Sequence, residues 1–531
     1  MKDALLSFFC VVALSVAAQN PYLPLWEYIP DGEPYVFEDP DNAGQYRVYI
    51  YGSHDDLTYT YCGRDQVVWS APADNLQDWR FDGIIFESIK DANGDNLNEN
   101  GEGDILYAPD VALRTDKNGK KTYYLYPNNQ ARGRENMVAA SDRPDGPFKV
   151  INWSNEDPKK VSGSLYFDPG VFVDDDGKAY AYWGYQESEG AELQDDMATI
   201  KPETYHKDMI PNFRQDTLFR FFEASSIRKI EDKYVFIYSR MTHPGDFGLP
   251  MSNYTLAYAY SDNPLGPFTY GGTLIDGRAR GVNEQGEPIP TACPYGNTHG
   301  SLCLIGDQWW IFYHRQTGLD EFSRQAMVAP VTVEVEKGKG GKVTISEGEY
   351  TSEGFMISGL DPTQLTEAGR ACYLTYPKGS SQSFPNFTFS GSYVKPTHPA
   401  EVIEGVSLCP VVNNTAGSVV GYRYFDMSKM PRKPHLVMSL IPAGIEGQIR
   451  VVMGQYPWSK DAQTIATIKL PAGATAEMTK VEVPCKAIRQ HTGKQSLFFV
   501  FEAPGDRRQA TGDRRQATDQ SLCELYDFYF K

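Results

Sequence analysis

The chain has 531 residues, 41% of them apolar and 13% aromatic, with a formal charge of −19 and a pI near 4.9. That length predicts two to four domains. The acidic balance excludes nucleic acid and an anionic membrane surface as partners, because both recruit clustered Lys and Arg.

The first residues, MKDALLSFFCVVALSVAAQN, place Lys2 ahead of an apolar run and end in Val16-Ala17-Ala18. This is the pattern of a secretory signal peptide over 1–18, giving a secreted periplasmic or extracellular protein. About 15 apolar residues fall short of the roughly 20 that span a bilayer, and no other segment qualifies, so membrane insertion is not expected. Seven cysteines follow the signal. None has C-x-x-C spacing; Cys293 and Cys303 pair across their loop or remain buried free thiols.

From residue 30 onward one template repeats: a polar residue, a short apolar run, a polar turn and an aromatic strand. Its copies are PDGEPYVFEDPDNAGQYRVYIYGS from Pro30, PDVALRTDKNGKKTYYLYP from Pro109, DPGVFVDDDGKAYAYWG from Asp168, FRFFEASSIRKIEDKYVFIYS from Phe219, and HGSLCLIGDQWWIFYH from His299. Gly, Asp or Asn at each turn between β-rich arms signals a hairpin. A second repeat, SDRPDGPF at 141–148, returns as SDNPLGPF at 261–268. Five such units predict a five-bladed β-propeller over 19–335; a β-sandwich built from similar hairpins is the alternative.

In a propeller every innermost strand starts at one mouth of the channel. The residues that precede the apolar runs therefore converge: Asp31, Asp110, Asp168, Glu223 and His299. Four carboxylates and an imidazole around one pit are costly unless chemistry or a cation uses them. Carboxylates with separated pKa values are the equipment of glycoside hydrolysis. Glu223 follows Phe221 and Phe222, and an apolar shell raises a carboxyl pKa.

PDG, YAPDVAL, FDPGVFVDDDG, FFEAS and NTHGSL, in that order, resemble glycoside hydrolase family 43. The resemblance implies an inverting mechanism with Asp31 as general base, Glu223 as general acid, and Asp168 orienting the acid and raising its pKa. By residue type alone Asp31 equally caps a turn, and Asp39 and Asp41 are rival bases at a hairpin tip. Asp110 either helps shape the sugar site or closes a turn. Arg324, in FSRQAMVAPV, matches the family arginine that reaches the sugar pocket, or lies on the surface. His299 matches the histidine that holds a mostly water-coordinated structural Ca2+ in the channel, or is a satisfied core histidine; no organic cofactor is implied. The chain departs from the family in Ala224-Ser225, where many members carry Gly-Pro, and in Tyr107, where Trp is usual. These changes alter the walls of the site and bear on which sugar is cleaved. The expected partner is a carbohydrate: plant-type polysaccharide side chains, cleaved from the end by an α-L-arabinofuranosidase first, or by a β-xylosidase, galactofuranosidase or endo-arabinanase. A propeller that only binds sugar is the rival of another class.

Residues 336–370 read as a closing hairpin and linker. Residues 371–531 read as a β-sandwich with strands in VVGYRYFDM, EGQIRVVMG, ATIKLP, KVEVP, QSLFFVFEA and CELYDFYF, resembling carbohydrate-binding module family 6. Tyr456 and Trp458 either stack on a sugar or pack inside. The duplicated GDRRQATGDRRQAT at 505–518 reads as a solvated loop.

Overall fold

In the computed structural model the described residues are 19–56, 60–88, 103–292, 296–317, 321–375, 391–397, 407–485, 492–504 and 520–531, with the short strands at 382–383 and 386–387. The expected signal peptide, Cys293 and the duplicated loop lie outside them. The described residues contain strands and short 3-10 turns, with no α-helix. None forms a helix long and apolar enough to cross a membrane.

Four antiparallel sheets follow one another in chain order. The first holds β1 (Glu33–Glu38), β2 (Tyr46–Tyr51), β3 (Asp65–Pro72) and β4 (Arg80–Glu87). The second holds β5 (Asp110–Thr115), β6 (Lys121–Tyr126), β7 (Ala139–Ser141) and β8 (Lys149–Val150). The third holds β9 (Gly170–Val173), β10 (Ala179–Trp183), β11 (Glu189–Glu192) and β12 (His206–Lys207). The fourth holds β13 (Phe221–Ile230), β14 (Lys233–Arg240), β15 (Thr255–Ser261) and β16 (Thr269–Asp276). After a hairpin of β17 (Arg280–Val282) and β18 (Pro288–Pro290), the fifth blade has three strands, β19 (Leu302–Ile305), β20 (Gln308–Arg315) and β21 (Gln325–Val331). Its outer edge is covered from the other end of the domain. Tyr22 N donates to Ala326 O, while Asn20 exchanges hydrogen bonds with the Val328 backbone. Joining first and last segments closes the ring and removes an exposed strand edge.

Neighbouring blades are tied through their inner strands. Asp110 accepts from the Tyr35 hydroxyl of blade 1 at 2.6 Å and from Val171 N of blade 3 at 2.6 Å. Ser226 and Ser301 hydroxyls meet at 2.8 Å between blades 4 and 5. Arg228 of blade 4 reaches Glu33 of blade 1, which is not its neighbour in the ring, at 2.7 Å. The loop repeat has a structural meaning: 141–148 and 261–268 join the third and fourth strands of blades 2 and 4. In each, the serine hydroxyl accepts from the backbone two residues on. In each, a tyrosine of the preceding blade donates to a loop proline carbonyl, Tyr51 to Pro144 and Tyr182 to Pro264.

The hairpin of β22 (Val333–Val335) and β23 (Val343–Ile345) leads to a C-terminal sandwich. One sheet contains β24 (Thr366–Glu367), β28 (Tyr393–Val394), β29 (Val411–Val412), β31 (His435–Pro442), β34 (Thr479–Pro484) and β36 (Cys523–Phe530). The other contains β25 (Tyr373–Leu374), β30 (Val419–Asp426), β32 (Gly447–Met453), β33 (Gln463–Leu470) and β35 (Lys494–Glu502); β26 (Gln382–Ser383) and β27 (Asn386–Phe387) pair separately. The strand β31 was not legible from pattern: HLVMSLIP is buried along most of its length and lacks the polar alternation that marks a half-buried strand. Tyr456 and Trp458 stack on each other at 5.9 Å and pack against the cluster shared with the propeller, while Arg423 lies 5.1 Å over Tyr456. Both rings are partly buried and take part in this packing. Cys303 is buried and free.

Candidate active site

At the channel mouth a cavity of roughly 170 Å³ is lined by Asp31, Asp168, Glu223, His299 and Arg324, with Tyr61, Tyr107 and Phe167 among its walls. Five residues drawn from blades 1, 3, 4 and 5 thus meet, although up to 293 residues separate them in sequence. Asp110 does not line this cavity. Both its oxygens are occupied by Tyr35, Val111 N and Val171 N, so it serves as an inter-blade tie rather than a wall of the site. Asp39 caps its own turn through Asp41 N and Asn42.

The backbone aims the acids by unusual means. Asp31 (φ 59), Asp168 (φ 51) and Ala224 (φ 66) all adopt the left-handed conformation that residues with a Cβ rarely enter. Around Glu223 the β13–β14 register slips twice, between Phe221 and Glu223 and again before Ser226. Such a bulge redirects one side chain out of the pleat. Ala224 holds a conformation that suits glycine, the residue many family members carry there. The chain has other positive-φ residues, but these three aim side chains into the cavity or lie beside one that does.

Asp31 is the best-held acid. Arg324 Nη1 lies 3.0 and 3.1 Å from its oxygens and the Ser53 hydroxyl donates at 2.6 Å. Its backbone N–H donates to His314 Nδ1, which leaves Nε2 to donate to Asn297 O and fixes that imidazole as neutral. Burial lowers the His314 pKa to about 3, in keeping with that tautomer. Burial is the largest influence and raises the Asp31 carboxyl, but Arg324 and the other polar neighbours, the Ser53 hydroxyl among them, together outweigh it and hold the group below its usual value. Arg324 is itself clamped by Asp55, Nε to Oδ2 at 2.9 Å and Nη2 to Oδ1 at 2.8 Å, and is 1% exposed. It is no surface arginine. Replacing it with Met strands two buried carboxylates, which costs about 3–5 kcal/mol of stability; thermal denaturation of R324M against wild type measures this.

Glu223 has the opposite setting. Burial, first, and then the negative charges of Asp168 and Asp31 push its carboxyl well above the usual value, against the pull of His299 and Arg324. Asp168 is also raised, chiefly by burial, while accepting from Asn128 at 2.8 Å and Ala224 N at 3.3 Å. One acid is thus biased toward its ionised form and another toward its protonated form, in one cavity. That division is what acid–base cleavage of a glycosidic bond requires.

The chain matches the family described as Glycosyl hydrolases family 43 over residues 32–336. A xylosidase/arabinosidase of Thermoclostridium stercorarium is 33% identical over 429 residues, 77% of this chain and 82% of that protein. The chain belongs to glycoside hydrolase family 43. It is a glycoside hydrolase of the inverting type. An arabinoxylan arabinofuranohydrolase of Bacillus subtilis is 25% identical over 495 residues, 86% of each chain. A crystal structure of a family 43 arabinoxylan arabinofuranohydrolase from Bacillus subtilis, in complex with cellotetraose, aligns over 95% of this chain and 96% of that one, at 20% identity and a TM-score of 0.44. The C-terminal sandwich lies beyond the residues matched by the family.

Behind the acids, His299 Nε2 stands 3.5 Å from Glu33 Oε1 and Nδ1 3.9 Å from Asp168 Oδ2. Burial lowers the His299 pKa, yet Glu33 and Asp168 outweigh it and lift it to about 9, so the ring is an imidazolium at neutral pH. Glu33 Oε1 and both ring nitrogens are buried without a hydrogen-bond partner. One imidazole and one carboxylate already bound to Arg228 fall short of the six to eight oxygens of a calcium shell. Among the described residues no group of three or more acidic, His or Cys side chains is placed to hold a metal. The donors therefore fit only an ion that keeps most of its water.

Glu33, Asp55, Arg228 and His314 escaped the sequence reading. Each lies inside a strand or beside a turn, with no signal of its own; only the partner across the channel makes it polar machinery.

Proposed function

We propose that the enzyme removes single terminal sugars from arabinoxylan-type glycans, first as an α-L-arabinofuranosidase and otherwise as a β-xylosidase. The observation that carries this reading is the cavity itself. Its roughly 170 Å³ is below the ~300 Å³ of pockets that take larger ligands, which suits one pentose ring. The names of the relatives support the same sugars. In the proposed step Asp31 takes a proton from water, and that oxygen attacks the anomeric carbon as the bond to the leaving oxygen breaks. Glu223 gives its proton to that oxygen. Asp168 keeps Glu223 protonated, and Arg324 keeps Asp31 ionised and fixed.

Aryl α-L-arabinofuranosides, β-D-xylosides and β-D-galactofuranosides, with arabinoxylan and linear arabinan alongside, test the assignment. Free arabinose from arabinoxylan and from the first aryl glycoside is expected. Release of arabinan oligosaccharides would favour endo action instead, and no release from any substrate would favour a propeller that only binds. The pH profile is a further check. Removing the Asp168 charge lowers the Glu223 pKa, so in Asp168→Asn the alkaline limb of kcat/KM moves to lower pH; an unmoved limb would remove Asp168 from this role.

A hydrated calcium beside Glu33 and His299 is proposed on the strength of their unpartnered atoms; it requires the neutral ring, so the ion has to displace the proton that Glu33 and Asp168 otherwise hold on His299. Calorimetric titration of chelator-treated protein, with its melting temperature, tests it; no heat and no shift would leave His299 as a purely protein-held imidazolium. Export is proposed from the leader; a mature N-terminus at Gln19 in the secreted protein is the expected result.

A further inference from the structure

Phe222, 9% exposed, precedes Glu223 and meets two further rings. Tyr185 packs edge-on at 5.4 Å and Phe213 lies at 6.0 Å. Tyr185 also packs at 5.0 Å on Phe167, which lines the cavity. Four rings therefore run without a break from the cavity wall outward over blades 3 and 4. Tyr185 is 48% exposed, and what sets it apart from other exposed rings is its continuity with the cavity wall through Phe167.

The loop that carries Tyr185 is built to hold it there. Gly184 has φ +124, and a Cβ at that position would sit 2.0 Å from Glu187 O. Gln186 N donates to Phe222 O at 2.6 Å. The Gln186 side chain accepts from Arg214 at 2.7 Å, and Arg214 lies 4.7 Å over Phe213. The loop is thus pinned to Phe222 on the strand that bears Glu223 and, through Gln186, to the Phe213–Arg214 segment ahead of that strand.

We propose that Phe167, Tyr185 and Phe222 form the binding site for the sugar ring that becomes the leaving group, and that Tyr185 makes the enzyme prefer a glycan to a simple glycoside. This rests on Glu223 being the proton donor. A donor faces the leaving oxygen, so whatever that oxygen carries must exit past the donor's own strand. The cavity holds one ring, which places the next one outside, on the aromatic surface continuous with it. The occupant is an uncharged pyranose such as a xylose of a xylan chain, since the C–H face of a sugar covers an aromatic ring and the hydroxyls remain in water. Binding energy gathered there is available to the step at the cavity.

The test compares Tyr185→Ala with wild type on substrates that differ only in the leaving group. Arabinosyl-xylotriose and xylobiose present a sugar to the shelf; α-L-arabinofuranosyl fluoride and β-D-xylosyl fluoride present none. Losing one aromatic face is expected to lower kcat/KM on the oligosaccharides about tenfold or more, with fluoride hydrolysis within about twofold of wild type. Tyr185→Phe keeps the ring and should keep oligosaccharide activity. Equal losses on both substrate types, or no loss on the oligosaccharides, would overturn the shelf while leaving the hydrolase reading standing. A wild-type protein inert on all four would overturn both. Melting temperatures of the two variants separate loss of contact from loss of fold.

Discussion

Replacing Glu223 with Gln is expected to slow cleavage of oligosaccharides and alkyl glycosides by roughly 10²–10⁴-fold, the worth of a positioned general acid. The loss follows from what the leaving oxygen needs. A sugar alkoxide departs only with a proton, and Glu223 is the acid in the cavity whose burial and acidic neighbours favour the protonated form most strongly. Fluoride leaves without one, so the same variant should hydrolyse glycosyl fluorides at a rate close to wild type. Initial rates on both substrate types check the assignment. A uniform loss would make Glu223 a structural acid, because a folding or binding defect does not distinguish leaving groups.

Replacing Asp31 with Asn should cost a comparable factor, roughly 10²–10⁴-fold, but on every substrate, fluorides included. Water must be deprotonated whatever departs. Asparagine keeps the size of the side chain and can still accept from Ser53, so the loss would come from basicity rather than packing. It also leaves Arg324 facing Asp55 and a neutral amide, which exposes the variant to some loss of stability; the melting temperature should fall, with the fold intact by circular dichroism. A variant that keeps fluoride hydrolysis while losing oligosaccharides would reverse the roles of the two acids.

The pH range follows from the same two settings. Asp31 is ionised from below the usual carboxylate range, and Glu223 stays protonated above it. Activity is therefore expected to hold on the acidic side and to fall on the alkaline side, where Glu223 loses its proton.

Much of this was legible in the sequence because a propeller repeats. Once the five copies are aligned, the polar residue ahead of each apolar run is placed at one mouth, and Asp31, Asp168, Glu223 and His299 fall together in the cavity. Asp110 shows the limit of that reasoning. Its position in the repeat is equivalent, yet its carboxylate turns sideways to bind two neighbouring blades, a choice set by the Tyr35 hydroxyl and Val171 N that no local pattern displays. Arg324 was ambiguous for the converse reason. Only the approach of Asp55, 269 residues away, turns a polar position at the start of a strand into a buried clamp. In the sandwich β31 was missed because periodicity marks strands with one wet face, and this one lies between β36 and β34 in the sheet with little solvent on either side.

Two carboxylates in one cavity can act through a trapped water or through direct attack on carbon, and the two routes leave opposite anomers. Proton NMR of the sugar first released by the wild-type enzyme decides between them. Water activated by Asp31 gives the inverted anomer before mutarotation; a retained anomer would mean that a carboxylate bonds to the sugar, and the roles given to Asp31 and Glu223 would not stand.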